Sequence, residues 1–190
     1  LEQDDYDLVF LDLQMPNMPG VVEGNQGHTY GLSSWFPFQG SGVFMSAPYA
    51  YRSFYLPSFV LGLGPENMAV LKKAYGECRK IAPIMLEGDY YPLTPYSLAS
   101  DQWIAWQFNR PESGDGVVQA FRRPDSPFVR AEFRLRGLDP AATYEVTNFD
   151  VEGSKTLSGR DLMDKGLPVE INERPGAAVI TYRRQTERRT

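Results

Sequence analysis

The hydrophobic pattern of this chain changes at Gly88, and this change restricts the possible folds more than any other feature. From residues 65–67 onward, apolar residues recur every three or four positions, which predicts one amphipathic helix that Pro83 ends. After Gly88, apolar and polar residues alternate in short runs separated by turn-forming residues. These runs are 103–108, 116–123, 131–136, 144–148 and 177–182. Strands at this spacing, with almost no helix between them, predict an antiparallel β-sandwich.

Three shorter features add local predictions. The apolar run 58–64 predicts a strand that is buried on both faces and closed by glycines. Ser158 precedes Asp161 by three residues, the spacing of a capping box, which predicts a short helix. Cys78 lies on the apolar stripe of the long helix, so we expect a thiol of the core rather than a nucleophile.

The stretch 25–40 has the composition of a sugar-binding segment. It contains the single histidine, His28, with Tyr30 and Trp35, and these rings stand among Gly, Ser, Asn and Gln. Polar amides can bond to hydroxyl groups, and flat rings can stack on the faces of sugars. We therefore expect a strand end and loop at the floor of a pocket. The alternative is a Gly-rich connection with a buried histidine and tryptophan. Arg52, further along, can clamp a ligand or pair with a neighbouring carboxylate.

Charge and cysteine content exclude several classes of function. The net charge of −5 and the pI near 5.0 disfavour nucleic acid and anionic membranes as partners. One cysteine and one histidine allow neither an internal disulfide nor a metal cluster, so we predict no metal and no other cofactor. The chain as given has no signal peptide and no apolar run of membrane-spanning length, which favours a soluble protein in the cytoplasm.

The run 6–18 is an apolar β-type segment that ends in Asp12 and continues into a Met-Pro pair. It resembles the middle strand of response-regulator receiver domains, and the resemblance implies that Asp12 accepts a phosphoryl group. A receiver also needs an acidic pair after an earlier strand to hold Mg²⁺. Here the acidic pair 4–5 lies directly before the run, and Pro19 stands where receivers usually carry an Asp. A foreign or miscalled piece, residues 1–23, is the alternative to a working receiver.

Eight short stretches between about residues 24 and 184, taken together with their order along the chain, carry a resemblance to one enzyme family. They are Gly27-His28-Thr29-Tyr30-Gly31-Leu32, 51–53, 88–93, 103–108, 120–122, 133–140, 158–163 and 166–168. In this order the chain resembles the C-terminal end of a family 36 glycoside hydrolase of the α-galactosidase or melibiase type. The resemblance implies a mixed α/β and all-β chain, in which residues 24–85 form the last strands and helix of a (β/α)₈ barrel. Residues 86–190 would then contain the antiparallel C-terminal β-sandwich.

Neither catalytic carboxylate of that family has a counterpart here, so we predict no catalytic residue in this chain. In the family the nucleophile follows a Trp, but Trp35, Trp103 and Trp106 are followed by Phe, Ile and Gln. The family's acid/base belongs to a Ser-Asp pair before the His-Thr-Tyr stretch, whereas Ser100-Asp101 lies in the sandwich region. A (β/α)₈ barrel also needs about 250 residues. Hydrolysis by the chain alone is therefore not expected.

The first hypothesis is a C-terminal fragment of an α-galactosidase-like hydrolase, whose partner in the complete enzyme is an α-galactoside. His28, Tyr30 and Trp35 would line the sugar subsite, with Arg52 behind them. One alternative is a signalling segment phosphorylated on Asp12. Another is a non-catalytic carbohydrate-binding sandwich whose stacking platform is Trp103 or Trp106, both expected on one strand face. Uncovered strands of the truncated barrel also predict self-association.

Overall fold

The computed structural model describes residues 21–36 and 38–185. Its first part is mainly helical with one parallel pair of strands, and its second part consists mostly of antiparallel strands. The helices are α1 (Val21–Leu32), α2 (Pro48–Ser53), α3 (Met68–Glu87) and α4 (Gly159–Asp164), and a 3-10 turn, Pro65–Asn67, leads into α3. The strands are β1 (Gly40–Val43), β2 (Ser58–Leu61), β3 (Asp89–Pro92), β4 (Trp103–Arg110), β5 (Asp115–Arg122), β6 (Arg130–Phe133), β7 (Thr143–Asn148), β8 (Lys155–Ser158), β9 (Leu167–Glu170) and β10 (Gly176–Arg184).

Helix α1 replaces the strand end and loop expected for the stretch 25–40. Each glycine in a helix interior costs about 1 kcal/mol relative to alanine, and tertiary contacts outweigh that cost here. Gln26 is buried and its Nε2 donates to Ser53 Oγ of α2 at 2.9 Å. A Cβ at Gly27 would lie 3.2 Å from Leu98 Cδ2. The glycine thus lets α1 approach its neighbour closely.

Strands β1 and β2 form a parallel pair, and α2 lies between them in the sequence. Val43 and Leu61 are buried, whereas Val60 is exposed. The prediction that the run 58–64 is a strand buried on both faces is therefore wrong. Strand β2 ends at Leu61, and only one of its faces reaches the core.

Helix α3 continues through Pro83 and ends at Glu87, so the prediction that this proline ends the helix is wrong. Proline in a helix interior removes one backbone hydrogen bond and costs about 3 kcal/mol. The buried side chains of Ile81, Ile84 and Met85 join the apolar cluster between α3 and the large sheet, which holds the last turns in place. Cys78 is buried in the same cluster, as predicted.

The large sheet has six antiparallel strands in the order β3-β4-β5-β10-β7-β8. One of its faces packs against the helices and the other against a second apolar cluster. Trp106 belongs to the first cluster and Trp103 packs against the second. The prediction that both tryptophans share one face is wrong, because residues three apart on a strand point to opposite faces.

The antiparallel pair β6–β9 and helix α4 cover the second face of the large sheet. Phe133, Leu162 and Val169 are buried there. Ser158 Oγ accepts a hydrogen bond from Asp161 N at 3.0 Å, which confirms the predicted cap of the short helix. Two layers of antiparallel strands share this apolar cluster, which agrees with the strand-rich arrangement predicted for this part. Strands β3, β8 and β9 were not predicted.

Candidate functional site

The parallel pair has one uncovered face, which we call the open face. It consists of Gly40, Gly42 and Phe44 on the β1 side, and Ser58, Val60 and Gly62 on the β2 side. All six residues are exposed, whereas the alternating residues Val43 and Leu61 are buried against the helices. Parallel strands are normally covered on both faces, so an open face indicates either a missing layer or a binding surface.

The carboxyl end of the pair carries a large apolar side chain. Phe44 directly follows β1, and the residue is 69% exposed. The ring lies against Gly62, which directly follows β2. Gly62 N donates to Val43 O at 2.9 Å, so the pairing continues one residue beyond β2. Ligand sites of parallel α/β sheets form at the carboxyl ends of the strands.

Three of the predicted sugar-subsite residues lie on α1 or directly after it, but they do not converge. His28 is exposed on the helix, and Trp35, in the following turn, is 75% exposed. Tyr30 is half-buried, its hydroxyl donates to Thr94 O at 2.6 Å, and its ring lies edge-on to Tyr90. No hydrogen bond or ring contact joins the three residues to one another.

Arg52, the fourth predicted subsite residue, is 1% exposed and is committed to protein acceptors. Its Nε and Nη2 donate to the carboxylate of Glu77 at 3.0 and 2.9 Å. Its Nη1 and Nη2 also donate to the carboxylate of Asp150, and Nη1 donates to Ala177 O at 2.8 Å. A guanidinium group has five N–H donors, and these bonds use all five. Arg52 therefore has no donor left for a sugar, and the contacts are those of the alternative, a structural pairing.

The Arg52 cluster shifts the pKa values of its members. Burial alone would lower the pKa of the Arg52 guanidinium, but the hydrogen bonds to Asp150 and Glu77 raise it above its ordinary value. Burial would raise the pKa of Asp150, but the bond from Arg52 lowers it below the ordinary value. Burial and the adjacent Glu77 raise the pKa of the Tyr55 hydroxyl, which donates to Glu77 at 2.9 Å. The cluster thus favours the charged forms of Arg52 and Asp150 at neutral pH.

The helical part, residues 21–36 and 38–87, contains four carboxylates, and each is already engaged. Glu23 accepts from the Tyr49 hydroxyl at 2.8 Å. Glu66 accepts from Asn67 at 2.8 Å, Glu77 pairs with Arg52, and Glu87 pairs with Arg110. None of them belongs to the open face. The residues that the structure describes also include no group of three or more His, Cys, Asp or Glu side chains placed to hold a metal ion.

Arg123 is a buried link that the sequence analysis missed. Its Nε donates to Gln26 Oε1 of α1 at 3.1 Å, and its Nη1 donates to Ser97 O and Ala99 O at 2.6 and 3.0 Å. Burial lowers the pKa of this guanidinium. The available signal was its spacing of two from Phe121 of β5, which predicts that the side chain of Arg123, directly after the strand, points to the same side as that of Phe121.

Comparison with known proteins finds a family match within the second part of the chain. The model of the glycosyl hydrolase family 36 C-terminal domain matches residues 103–181. These residues support a family 36 C-terminal portion. Alpha-galactosidase C of Emericella nidulans is 33% identical over 107 residues, which are 56% of this chain and 13% of that protein. The chain therefore spans a small part of the relative that it resembles.

Solved structures share the fold over more of the chain. The galactosidase domain of alpha-galactosidase-sucrose kinase, AgaSK, has a TM-score of 0.70 at 20% identity, over 86% of this chain and 25% of that chain. A variant of the GH36 alpha-galactosidase AgaA from Geobacillus stearothermophilus, solved with raffinose, has a TM-score of 0.58 at 16% identity, over 72% of this chain and 19% of that chain. At these identities the likeness shows the fold alone.

The receiver resemblance of residues 6–18 receives no support from these matches, and Asp12 lies outside the residues that the structure describes. Among those residues, no helix has both the length and the apolar composition that crossing a membrane requires.

Proposed function

We propose that this chain is the C-terminal portion of an α-galactosidase-like glycoside hydrolase. Residues 24–85 complete a (β/α)₈ barrel whose earlier units lie upstream, and residues 86–184 form the β-sandwich behind it. The observation that supports this proposal most directly is that two different parts of the chain pack together. A parallel β/α arrangement with one open face shares a buried cluster with a sheet that matches the family 36 C-terminal domain.

The arrangement of the first part agrees with the end of a barrel. The order β1–α2–β2–α3 alternates parallel strands with helices, which is the repeating unit of a (β/α)₈ barrel. The helices cover the side of the pair that bears Val43 and Leu61. In a barrel the opposite side faces the interior and packs against the other strands. The open face corresponds to that interior side.

Catalysis in the barrel requires acids from outside the helical part. A retaining glycosidase uses two carboxylates about 5 Å apart, and the four carboxylates of the helical part are bound elsewhere. The substrates of the complete enzyme would be terminal α-galactosides, as the name of the Emericella relative and the raffinose complex suggest. Of the predicted subsite residues, His28 and Trp35 are exposed and accessible to a ligand. The sandwich would support the barrel.

The proposal is tested by restoring an upstream barrel. Residues 21–185 are fused behind the N-terminal portion of a family 36 α-galactosidase, in place of that enzyme's own C-terminal portion, and hydrolysis of an aryl α-galactoside is measured. We expect turnover by the fusion and none by the 190-residue chain alone, because only the fusion contains both catalytic acids.

The matched control re-joins the same enzyme to its own C-terminal portion through the same junction. An inactive fusion beside an active control would contradict the proposal. Turnover by the purified chain alone would contradict the statement that the acids lie outside it.

A further inference from the structure

On the open face, the ring of Phe44 lies against Gly62, and we call this position its seat. In the parallel pair Gly42 is opposite Val60 and Val43 is opposite Leu61, so Phe44 comes opposite Gly62. A Cβ at Gly62 would overlap Cε1 and Cδ1 of the Phe44 ring and would lie 3.3 Å from its Cζ. Only a residue without a side chain allows the ring to rest against the strand end in this way.

Within this chain, the position of the ring contributes little to stability. Burial of a Phe side chain contributes about 1.5–3 kcal/mol, and Phe44 forgoes most of it because 69% of the residue is exposed. The residue before it, Val43, is 4% exposed, so the chain buries one neighbour and presents the other. The ring stands at the carboxyl end of a parallel pair, where barrel enzymes assemble their sites.

We propose that Phe44, seated on Gly62, is the stacking platform for the apolar face of a galactopyranoside. This inference rests on the proposed function and names a residue of its binding site. The axial O4 of galactose leaves the hydrogens on C3, C4 and C5 together as one apolar patch. An aromatic ring with an exposed face is complementary to such a patch and gives orientation without a charged group. The equatorial O4 of glucose breaks the patch, so the platform favours galactosides.

The first experiment uses the 190-residue chain and methyl α-galactoside as the probe. Aromatic NMR signals of the chain are followed as the sugar is added, with methyl α-glucoside in parallel. We expect the Phe44 ring signals to shift, more with the galactoside than with the glucoside. The shifts should disappear in Gly62→Ala, where the ring loses its seat. No Phe44 shift in the folded, unsubstituted chain would overturn the inference.

Gly42→Ala is the matched control, because it adds a methyl group on the same face at an ordinary contact distance of 3.6 Å from Val60. This variant should keep the sugar-induced shifts. Equal loss in Gly42→Ala and Gly62→Ala would indicate general disturbance of the pair and would overturn the proposed seat.

The second experiment separates failure of the inference from failure of the proposed function. In the active fusion, Phe44→Ala and Gly62→Ala should lower kcat/KM for the aryl α-galactoside about tenfold, mainly through KM, and Phe44→Trp should retain activity. An active fusion in which Phe44→Ala changes nothing would refute the platform and leave the proposed function standing. An inactive fusion beside an active re-joined control would refute both. If Phe44→Ala instead lowers thermal stability without changing KM, the ring packs against the upstream barrel and the platform is refuted.

Discussion

Replacing Arg52 with alanine should destabilise the protein far more than replacing any exposed arginine. The side chain is 1% exposed, and its partner Glu77 is 9% exposed. Without Arg52, the Glu77 carboxylate keeps the Tyr55 hydroxyl at 2.9 Å and the half-exposed Lys73 ammonium at 3.8 Å. Removal of one partner from a buried ion pair costs about 3–5 kcal/mol. The loss is a large share of the roughly 5–15 kcal/mol that stabilises a typical folded protein.

Urea unfolding, followed by far-UV circular dichroism, measures this loss as a decrease in the midpoint with an unchanged m-value. Arg130→Ala is the control. Arg130 pairs with Glu170 at 2.7 Å, but the two side chains are 76% and 45% exposed. An exposed pair contributes less than about 1 kcal/mol. Similar losses of stability in Arg52→Ala and Arg130→Ala would refute the idea that burial makes the Arg52 cluster important for stability.

A double variant tests the same reasoning from the opposite direction. Arg52→Met combined with Glu77→Leu removes both buried charges and fills the space with apolar atoms, a change that is often neutral or stabilising. We expect the double variant to be more stable than Arg52→Ala. If it is less stable, the cluster is held by its hydrogen-bond geometry rather than by the need to neutralise a buried charge.

Three further measurements address other parts of the structure. Burial raises the pKa of Cys78 to about 12, so a disulfide reagent at about pH 8 should modify this thiol only after unfolding, and rapid reaction of the folded chain would contradict its burial. Burial would raise the pKa of Asp150, but Arg52 lowers it. The contribution of this pair to stability is therefore complete above the unfolded carboxyl pKa of about 3.9 and is lost as pH falls through the folded value. Urea midpoints should decrease below about pH 4, and less so in Asp150→Asn. The exposed apolar residues of the open face should make the chain self-associate in sedimentation experiments, and Val60→Lys should reduce this; a monomer at all concentrations would contradict that expectation.

The parts of the fold that local pattern controls could be predicted from the sequence. Short runs bounded by turn-forming residues located five of the strands, and the three-residue spacing of Ser158 and Asp161 located the short helix, because each signal depends on neighbours along the chain. The predictions were wrong where tertiary contacts outweigh the local preference of the segment. Gln26 and Gly27 are helical because α2 and Leu98 lie beside them, and no propensity of the segment itself contains that information.

The candidate site was less predictable than the fold, because residue type does not reveal partners. Arg52 could serve a ligand or a carboxylate, and the choice depends on Glu77, 25 positions later, and on Asp150, 98 positions later. Phe44 was not predicted as a site residue, because a single aromatic residue after a short strand is common in protein sequences. Its character becomes visible only when the parallel register brings Gly62 opposite it.

The division of the chain at residues 85 and 86 marks a change of pattern and not a gap in packing. The apolar cluster on the helix side combines Tyr51, Ile81 and Met85 from the first part with Trp106 and Phe121 from the second. Arg52 and Arg123 cross the same division through buried hydrogen bonds. A helical part that shares its core with the large sheet cannot move independently of that sheet. If the proposed function holds, the sandwich fixes the position of the strand ends, and with them the ring of Phe44, through the packing of α2 and α3.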